Sequence, residues 1–411
     1  MNLFGGEPFG TPAADFIRAE IAERGPITFA RFMELALYAP EVGYYEARAA
    51  EDFCRDYVTS PELHPAFGAL LCGQIEEMWR HLGRPGEFWL VEGGPGTGVF
   101  AGDVLATAEE ASPALAQALR FVLIERSPAL RETQRAALSR SLDRVRWLNL
   151  DDAASAAPLG LGCIFANELF DAFPVNRVVV RERGLCEVYV DACDEGFVDV
   201  EDEPSTRVLE EQVKAGGGCL RIGDRGEVNL AAPRWVRSAA KLLERGYVLL
   251  VDYGEPADLL YGERHPRGTL RCYRRHTMNE DLYARVGLQD ITAHVDLSAV
   301  ARAGAAAGLA LLGATRQTRL LQRLGLDALR GTVDELVVGR VERRAHHAAF
   351  DLLADPRHLG RVGALLMGKG VDGAEPLSGF LEGGQVVPPL SVRVLDHRIR
   401  DAAGLAAALR R

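Results

Sequence analysis

The chain has 411 residues, 48% of them hydrophobic and 26% charged, enough apolar mass for a substantial core in one large domain or two. Its net charge of −11 argues against nucleic acid as a partner, because phosphates call for a positive surface; the arginines from Arg264 to Arg275 are a local exception. No stretch reaches the apolar length of a membrane span, and Met1 to Ile17 lacks the basic start and apolar centre of a signal peptide, so the expectations are no membrane partner and a cytoplasmic location.

Phe16 to Arg24 and Phe29 to Tyr38 carry apolar residues at helical spacing, and His64 to Leu82 does so after the turn at Ser60-Pro61. Between them, Val42 to Glu62 is a loop of aromatic and polar residues, of the kind that closes over a ligand. Phe88-Trp89-Leu90-Val91-Glu92 is an apolar run ending in an acid, followed at once by Gly93-Gly94-Pro95-Gly96-Thr97-Gly98 and a helical pattern over Val99 to Leu105. That is the first strand, turn and helix of a doubly wound α/β sheet. Further strands are expected at Phe121 to Glu125, Val145 to Leu148, Cys163 to Ala166, Tyr247 to Asp252 and Leu309 to Ala314.

Arg177 to Val180, Cys186 to Val190 and Phe197 to Val200 alternate like short antiparallel strands, and a helix follows around Thr206 to Lys214. From Leu326 the pattern is helical up to Leu366; Gly383 to Pro389 reads as a loop and Leu390 to Leu395 as a last strand. The expected organisation is a helical cap with a lid loop over residues 1–86, a sheet core over 87–325 with an insertion at about 176–230, and a helical extension over 326–411.

At the first turn the glycines bring the backbone close to a ligand, and the helix that follows aims its N–H groups at it. A dinucleotide would place a pyrophosphate there, which Glu92 would repel; the ammonium and sulfonium of S-adenosylmethionine would instead be held. Gly96-x-Gly98-x-x-Ala101 also satisfies a loose dinucleotide fingerprint, and a turn without a ligand is the plainer alternative. Glu125, a second strand-end acid, stands where nucleotide-binding sheets place the acceptor of the ribose hydroxyls.

Asn167 and Glu168 fall at the carboxyl end of the fourth strand, beside the glycine turn, with Asp171 one helical turn further on. An amide and two carboxylates can orient an amine, amide or guanidinium and accept its proton; helix N-capping is the alternative for Asn167 and Asp171. His276, His294 and Asp296 are loosely spaced, without the interval of a metal site, and none is expected. The seven cysteines are scattered and read as reduced thiols.

These segments resemble the MidA family of adenosylmethionine-dependent methyltransferases, whose mitochondrial members assist complex I assembly by dimethylating an arginine of one of its subunits. The resemblance is carried by Pro26-Ile27-Thr28, Gly43-Tyr44-Tyr45, Thr59-Ser60-Pro61-Glu62, Glu92 to Gly98, Glu125-Arg126-Ser127-Pro128, Asn167 to Ala172, Asp252-Tyr253-Gly254, Gly268 to His276 and Asp290 to Asp296, in family order. Two departures stand out: Arg55-Asp56-Tyr57 where the family has Gly-Asp-Phe, and Gly93 where it has leucine. The resemblance implies a class I methyltransferase sheet with a helical N-terminal cap, a β insertion and helical C-terminal additions. It also implies that Glu92 with Gly94, Gly96 and Gly98 holds the methionine end of S-adenosyl-L-methionine, that Glu125 holds its ribose, and that Thr59 and Glu62 close the site. Asn167, Glu168 and Asp171 would then act on the acceptor, with His276 an outside candidate for the base.

The expected reaction is methyl transfer to a protein arginine or another nitrogen acceptor. A small-molecule O- or N-methyltransferase, which the altered loop at Arg55 would suit, and a non-catalytic assembly factor keeping the fold are the alternatives. A homodimer is compatible with the sequence.

Overall fold

The computed structural model describes residues 10–47, 56–150, 158–336, 339–371, 373 and 375–381. The chain forms two compact units. One is drawn from Met1–Tyr57, Phe170–Arg234 and Tyr253–Ala303, the other from Val58–Leu169, Trp235–Asp252 and Gly304–Arg411.

The second unit is built on a seven-stranded sheet: β1 (Phe88–Gly93), β2 (Leu119–Ile124), β3 (Val145–Leu148), β4 (Leu161–Asn167), β5 (Arg245–Asp252), β6 (Ala310–Arg316) and β7 (Gly363–Lys369). Their order across the sheet is β3-β2-β1-β4-β5-β7-β6. Adjacent strands from β3 to β5 run parallel, and β7 alone is antiparallel to both its neighbours. This is the class I methyltransferase sheet. Every residue of β1 is buried, and β4 and β5 are nearly so, because helices cover both faces of a parallel sheet and favour continuous apolar strands. The helix Val99–Ala111 packs onto the sheet through Phe100, whose ring stacks on Phe165 of β4 with centroids 4.1 Å apart.

The strand order reverses between β1 and β4, where Gly93 pairs with Ala166. Such a reversal leaves a crevice at the carboxyl ends of the two strands, the place where open α/β sheets bind ligands.

The first unit carries an antiparallel sheet of Ile27–Thr28, Gly184–Cys193, Asn176–Arg181 and Arg225–Val228, with Gly196–Asp202 paired to Gly184–Cys193. Its core includes Val178, Leu209, Val213, Val228, Leu260 and Tyr261. The helices Pro12–Arg24 and Phe29–Tyr38 belong to this unit, whereas Ala66–His81 belongs to the other. The β insertion lies where the alternation placed it, and its helix is Val208–Ala215.

The C-terminal expectation needs correction. Leu326–Leu336 and Arg340–Ala354 are helices, but the apolar run after them is the strand β7, inside the sheet rather than part of a helical addition. Its seven residues Gly363–Lys369 are buried up to Lys369, and a short buried apolar run is ambiguous between helix and strand. The loop and strand expected over Gly383 to Leu395 lie outside the described residues.

Gly162 of β4 has no room for a side chain: an added Cβ would collide with the backbone carbonyl of Trp89 in β1. Gly162→Ala is therefore expected to lower stability by about 3 kcal/mol or more, since two central strands would have to part. Denaturant unfolding checks this; a variant as stable as the parent would contradict the close approach of β1 and β4.

Candidate functional site

Glu92 ends β1 as a buried carboxylate, only 4% exposed. Its Oε2 has no hydrogen-bond partner, and burial pushes its pKa up to about 8. Burial without donors favours the protonated form of such a group, and a cation placed beside it would favour the ionised form.

The turn that follows is set by glycine backbone. Gly94, Gly96 and Gly98 have φ of 64°, 53° and 83°, in the left-handed region, and Gly98 caps the helix Val99–Ala111. A Cβ on Gly94 would press on Leu169, whereas the position on Gly96 opens into free space. The N–H of Gly94 is bound to Ile124 O, so the turn is fastened to β2. Gly93 faces Trp235 so closely that a Cβ would collide with its ring.

Gln134, which the sequence reading did not single out, is fully buried and ties the pocket together. Its Nε2 donates to Gly96 O at 2.8 Å and to Glu125 Oε2 at 3.4 Å, while its Oε1 accepts from Trp147. Glu125 lies just beyond β2, 7% exposed, and its Oε1 accepts the N–H of Ser127 at 2.8 Å. The carboxylate is thus held in one orientation at the strand end.

Thr59 precedes the short helix Ser60–Leu63 and makes no side-chain cap bond. Glu62, in that helix, accepts from the Thr97 hydroxyl of the glycine turn, so this segment is tied to the turn directly. The same helix reaches the residue after β4: Ser60 N–H donates to Glu168 Oε1 at 3.1 Å, and the Ser60 hydroxyl bonds Gln317 at 3.0 Å.

Asn167 is the last residue of β4, and Glu168 follows with φ of 48°, a conformation that a non-glycine residue adopts rarely. Glu168 N–H is held by Val251 O, and Asp252 accepts the N–H of Leu169 at 3.0 Å, so β5 fixes the bend from both sides. Asn167 Nδ2 donates to Glu168 Oε1 at 3.0 Å. Both donors therefore reach one oxygen, and among the described residues no donor reaches Oε2. Burial, with a smaller contribution from the Asp252 charge, pushes Glu168 up to about 7 against the pull of those two donors. Asn167 Oδ1 is buried without a partner.

No helix starts at Asn167, which corrects the expectation of Asp171 one helical turn on: residues 168–173 form a turn. Asp171 and His276 fall in the first unit. Asp171 is 8% exposed, with its carbonyl accepting from Ala293 N–H. His276 has φ of 59°, its N–H bonded to Asp56 O, and a buried Nδ1 without a partner. Asp56 is itself buried, taking the Tyr44 hydroxyl at 2.9 Å and Arg275 N–H at 2.7 Å. Of the candidate residues, the structure brings Thr59, Glu62, Glu92, Gly94, Gly96, Gly98, Glu125, Asn167 and Glu168 into the second unit.

Comparison with known proteins identifies the family and the fold. Residues 70–315 match the family Methyltransf_28, described as S-adenosyl-L-methionine-dependent methyltransferases. The chain is 30% identical to a Drosophila melanogaster mitochondrial protein arginine methyltransferase NDUFAF7 homolog, over 89% of this chain and 87% of that one. It is 28% identical to the Homo sapiens NDUFAF7, over 87% and 83%. Among solved structures, a COG1565 superfamily member from Burkholderia thailandensis bound to S-adenosyl-homocysteine superposes with a TM-score of 0.78 at 33% identity, covering 90% of this chain and 94% of that one.

The raised pKa of Glu92 has a consequence for stability. Because the folded protein binds this proton more tightly than the unfolded chain does, stability without ligand falls as pH rises from 4.5 towards 8. Glu92→Gln removes that loss, on the order of 3 kcal/mol at pH 7. Thermal melts of unliganded protein are expected to show the variant more stable than the parent at pH 8 and equal to it at pH 4; equal melting at both would contradict the burial of an ionisable Glu92.

Proposed function

We propose a protein arginine as the methyl acceptor of this chain, which belongs to the Methyltransf_28 family of S-adenosyl-L-methionine-dependent methyltransferases. It is an enzyme, and its cofactor is S-adenosyl-L-methionine. The acceptor reading is supported by the curated relatives, named as protein arginine methyltransferases, and by one observation in the site. That observation is Glu168, a carboxylate at the strand-order reversal with one oxygen held by two donors and the other available.

The pocket fits the cofactor. Glu92, with its unpartnered oxygen, would take the cationic methionine end; the N–H groups and glycines of the 94–98 turn would line it; Glu125 would accept from the ribose hydroxyls. When bound, S-adenosyl-L-methionine supplies an electrophilic methyl group on a sulfonium. The protein has then to hold a nucleophilic nitrogen in line with it and to receive the proton which that nitrogen gives up.

Glu168 is suited to both tasks. Ionised, its Oε2 accepts a guanidinium N–H in a charge-assisted bond, which orients the acceptor and raises the electron density on the reacting nitrogen. Its pKa near 7 lets it take the released proton and return it to solvent. Asn167 and Ser60 fix Oε1, so the available oxygen keeps one direction, and the left-handed backbone at Glu168 aims the side chain. Glu62, bound to Thr97, would keep the Thr59 segment over the turn.

The acceptor is tested by incubating lysate proteins with the enzyme and methyl-deuterated S-adenosyl-L-methionine, then mapping labelled residues by tandem mass spectrometry. Label on arginine side chains is the expected result; label confined to the small-molecule fraction would overturn the reading in favour of a biosynthetic methyltransferase. The role of Glu168 is tested separately. Glu168→Gln is expected to keep cofactor affinity within about threefold and to lower the single-turnover rate by about 10² to 10⁴. The parent rate is expected to rise with pH through about 7, as Glu168 ionises, and the variant to lose that limb. A variant with the parent's rate and pH profile would remove Glu168 from the chemistry.

A further inference from the structure

We propose that Glu255, His265 and His294 in the first unit bind one divalent transition-metal ion of the zinc type. Each offers a ligand atom, and the three atoms lie within 4.8 Å of one another, the one such group of three among the described residues. Two imidazoles and a carboxylate make a donor set suited to zinc, with a fourth position left for water.

The three ligands come from separate segments that the backbone locks together. Glu255 lies in the two-residue strand Gly254–Glu255, which pairs in parallel with Val295–Asp296, and His294 immediately precedes that partner strand. His294 N–H donates to Thr269 Oγ1 at 3.0 Å. Thr269 is held in turn by the buried carboxylate of Glu227, which accepts both its N–H and its hydroxyl. His265 sits on the intervening loop, its Nε2 2.9 Å from Glu255 Oε2 and its ring edge-on to His294 with centroids 5.5 Å apart. These bonds hold the backbone at His294 in place beside the Gly254–Glu255 strand.

Ligand atoms around tetrahedral zinc stand roughly 3.3 Å apart at metal–nitrogen distances of about 2.0–2.1 Å. Closing the triangle therefore needs movement of up to about 1.5 Å, and His265, with a side chain 20% exposed, has the most room to make it. Coordination replaces the His265–Glu255 hydrogen bond, with Nε2 presenting its lone pair to the metal and the ring's hydrogen carried on the other nitrogen. Arg264 is the competing cation: its guanidinium lies 3.0 Å from Glu255 Oε1 and neutralises the carboxylate without a metal. The carboxylate's other oxygen is the one that faces His265.

The test uses the full-length, untagged protein, with Zn²⁺ in calorimetry and Co²⁺ in visible absorption. The expected result is one Zn²⁺ per chain and the intense bands of four-coordinate Co²⁺. His265→Gln and His294→Gln should each weaken Zn²⁺ by at least tenfold, with S-adenosyl-homocysteine affinity and thermal melting reporting that the fold is intact. Arg264→Ala should tighten Zn²⁺, because it removes the rival cation. His347→Gln, at a similar histidine–carboxylate pair outside any such group of three, should change nothing. The proposal is overturned if the parent binds no Zn²⁺, if either glutamine variant binds as the parent does, or if Arg264→Ala leaves the affinity unchanged; a variant that does not fold is replaced by Glu255→Gln, judged by the same tenfold criterion.

Discussion

The carboxylate of Glu92 is the constraint around which the second unit is arranged. A side chain that ionises in water is carried by a fully buried strand into a place where one of its oxygens meets no donor. Such burial opposes folding unless a cation arrives, and the strand cannot rotate to relieve it, because β1 is paired residue by residue with β2 on one side and β4 on the other. The protein carries this cost in its unliganded state, and on the reading proposed above the cofactor's positive end would remove it on binding. On that reading the acid at the strand end would bear on the choice of ligand as well as the glycines.

Glu168 is also pushed upward by burial, but it is handled differently. Glu92 has no donor at Oε2, while Glu168 has two donors on Oε1 and a neighbouring negative charge in Asp252. A carboxylate awaiting a permanent cation and a carboxylate balanced near neutral pH suit two tasks, holding the cofactor and handling the acceptor's proton. They end neighbouring strands, because β1 and β4 are paired and their carboxyl ends meet at the reversal of strand order.

Much of this was legible in the sequence, for a physical reason. Parallel strands buried on both faces leave unbroken apolar runs, and those runs end in acids and glycines where the chain reaches solvent or ligand, so β1, β2, β4 and β5 and their strand-end residues could be read directly. The antiparallel insertion showed itself by alternation. What escaped has other causes. The strand β7 is an apolar run preceded by two helices, with nothing local to distinguish it from a third. The backbone at Glu168 turns left-handed where Val251 and Asp252, far away in sequence, hold it, whereas the local pattern suggested a helical turn leading to Asp171. Gln134 reads as one polar residue in an amphipathic helix, and only the fold brings it to Gly96 and Glu125. Glu255, His265 and His294 escape for the same reason: their intervals in the chain match no metal motif, and a two-residue parallel pairing brings the first and last together.

The measurement that bears most directly on the central claim is the number of protons exchanged when S-adenosyl-L-methionine binds, obtained at pH 7 by calorimetry in buffers of different ionisation enthalpy. If Glu92 is buried with a pKa near 8 and ionises against the cofactor's cation, binding releases close to one proton per site, and affinity rises with pH between 6 and 8. Binding with no net proton release and no such pH dependence would contradict the account, because Glu92 would then be ionised before the cofactor arrives.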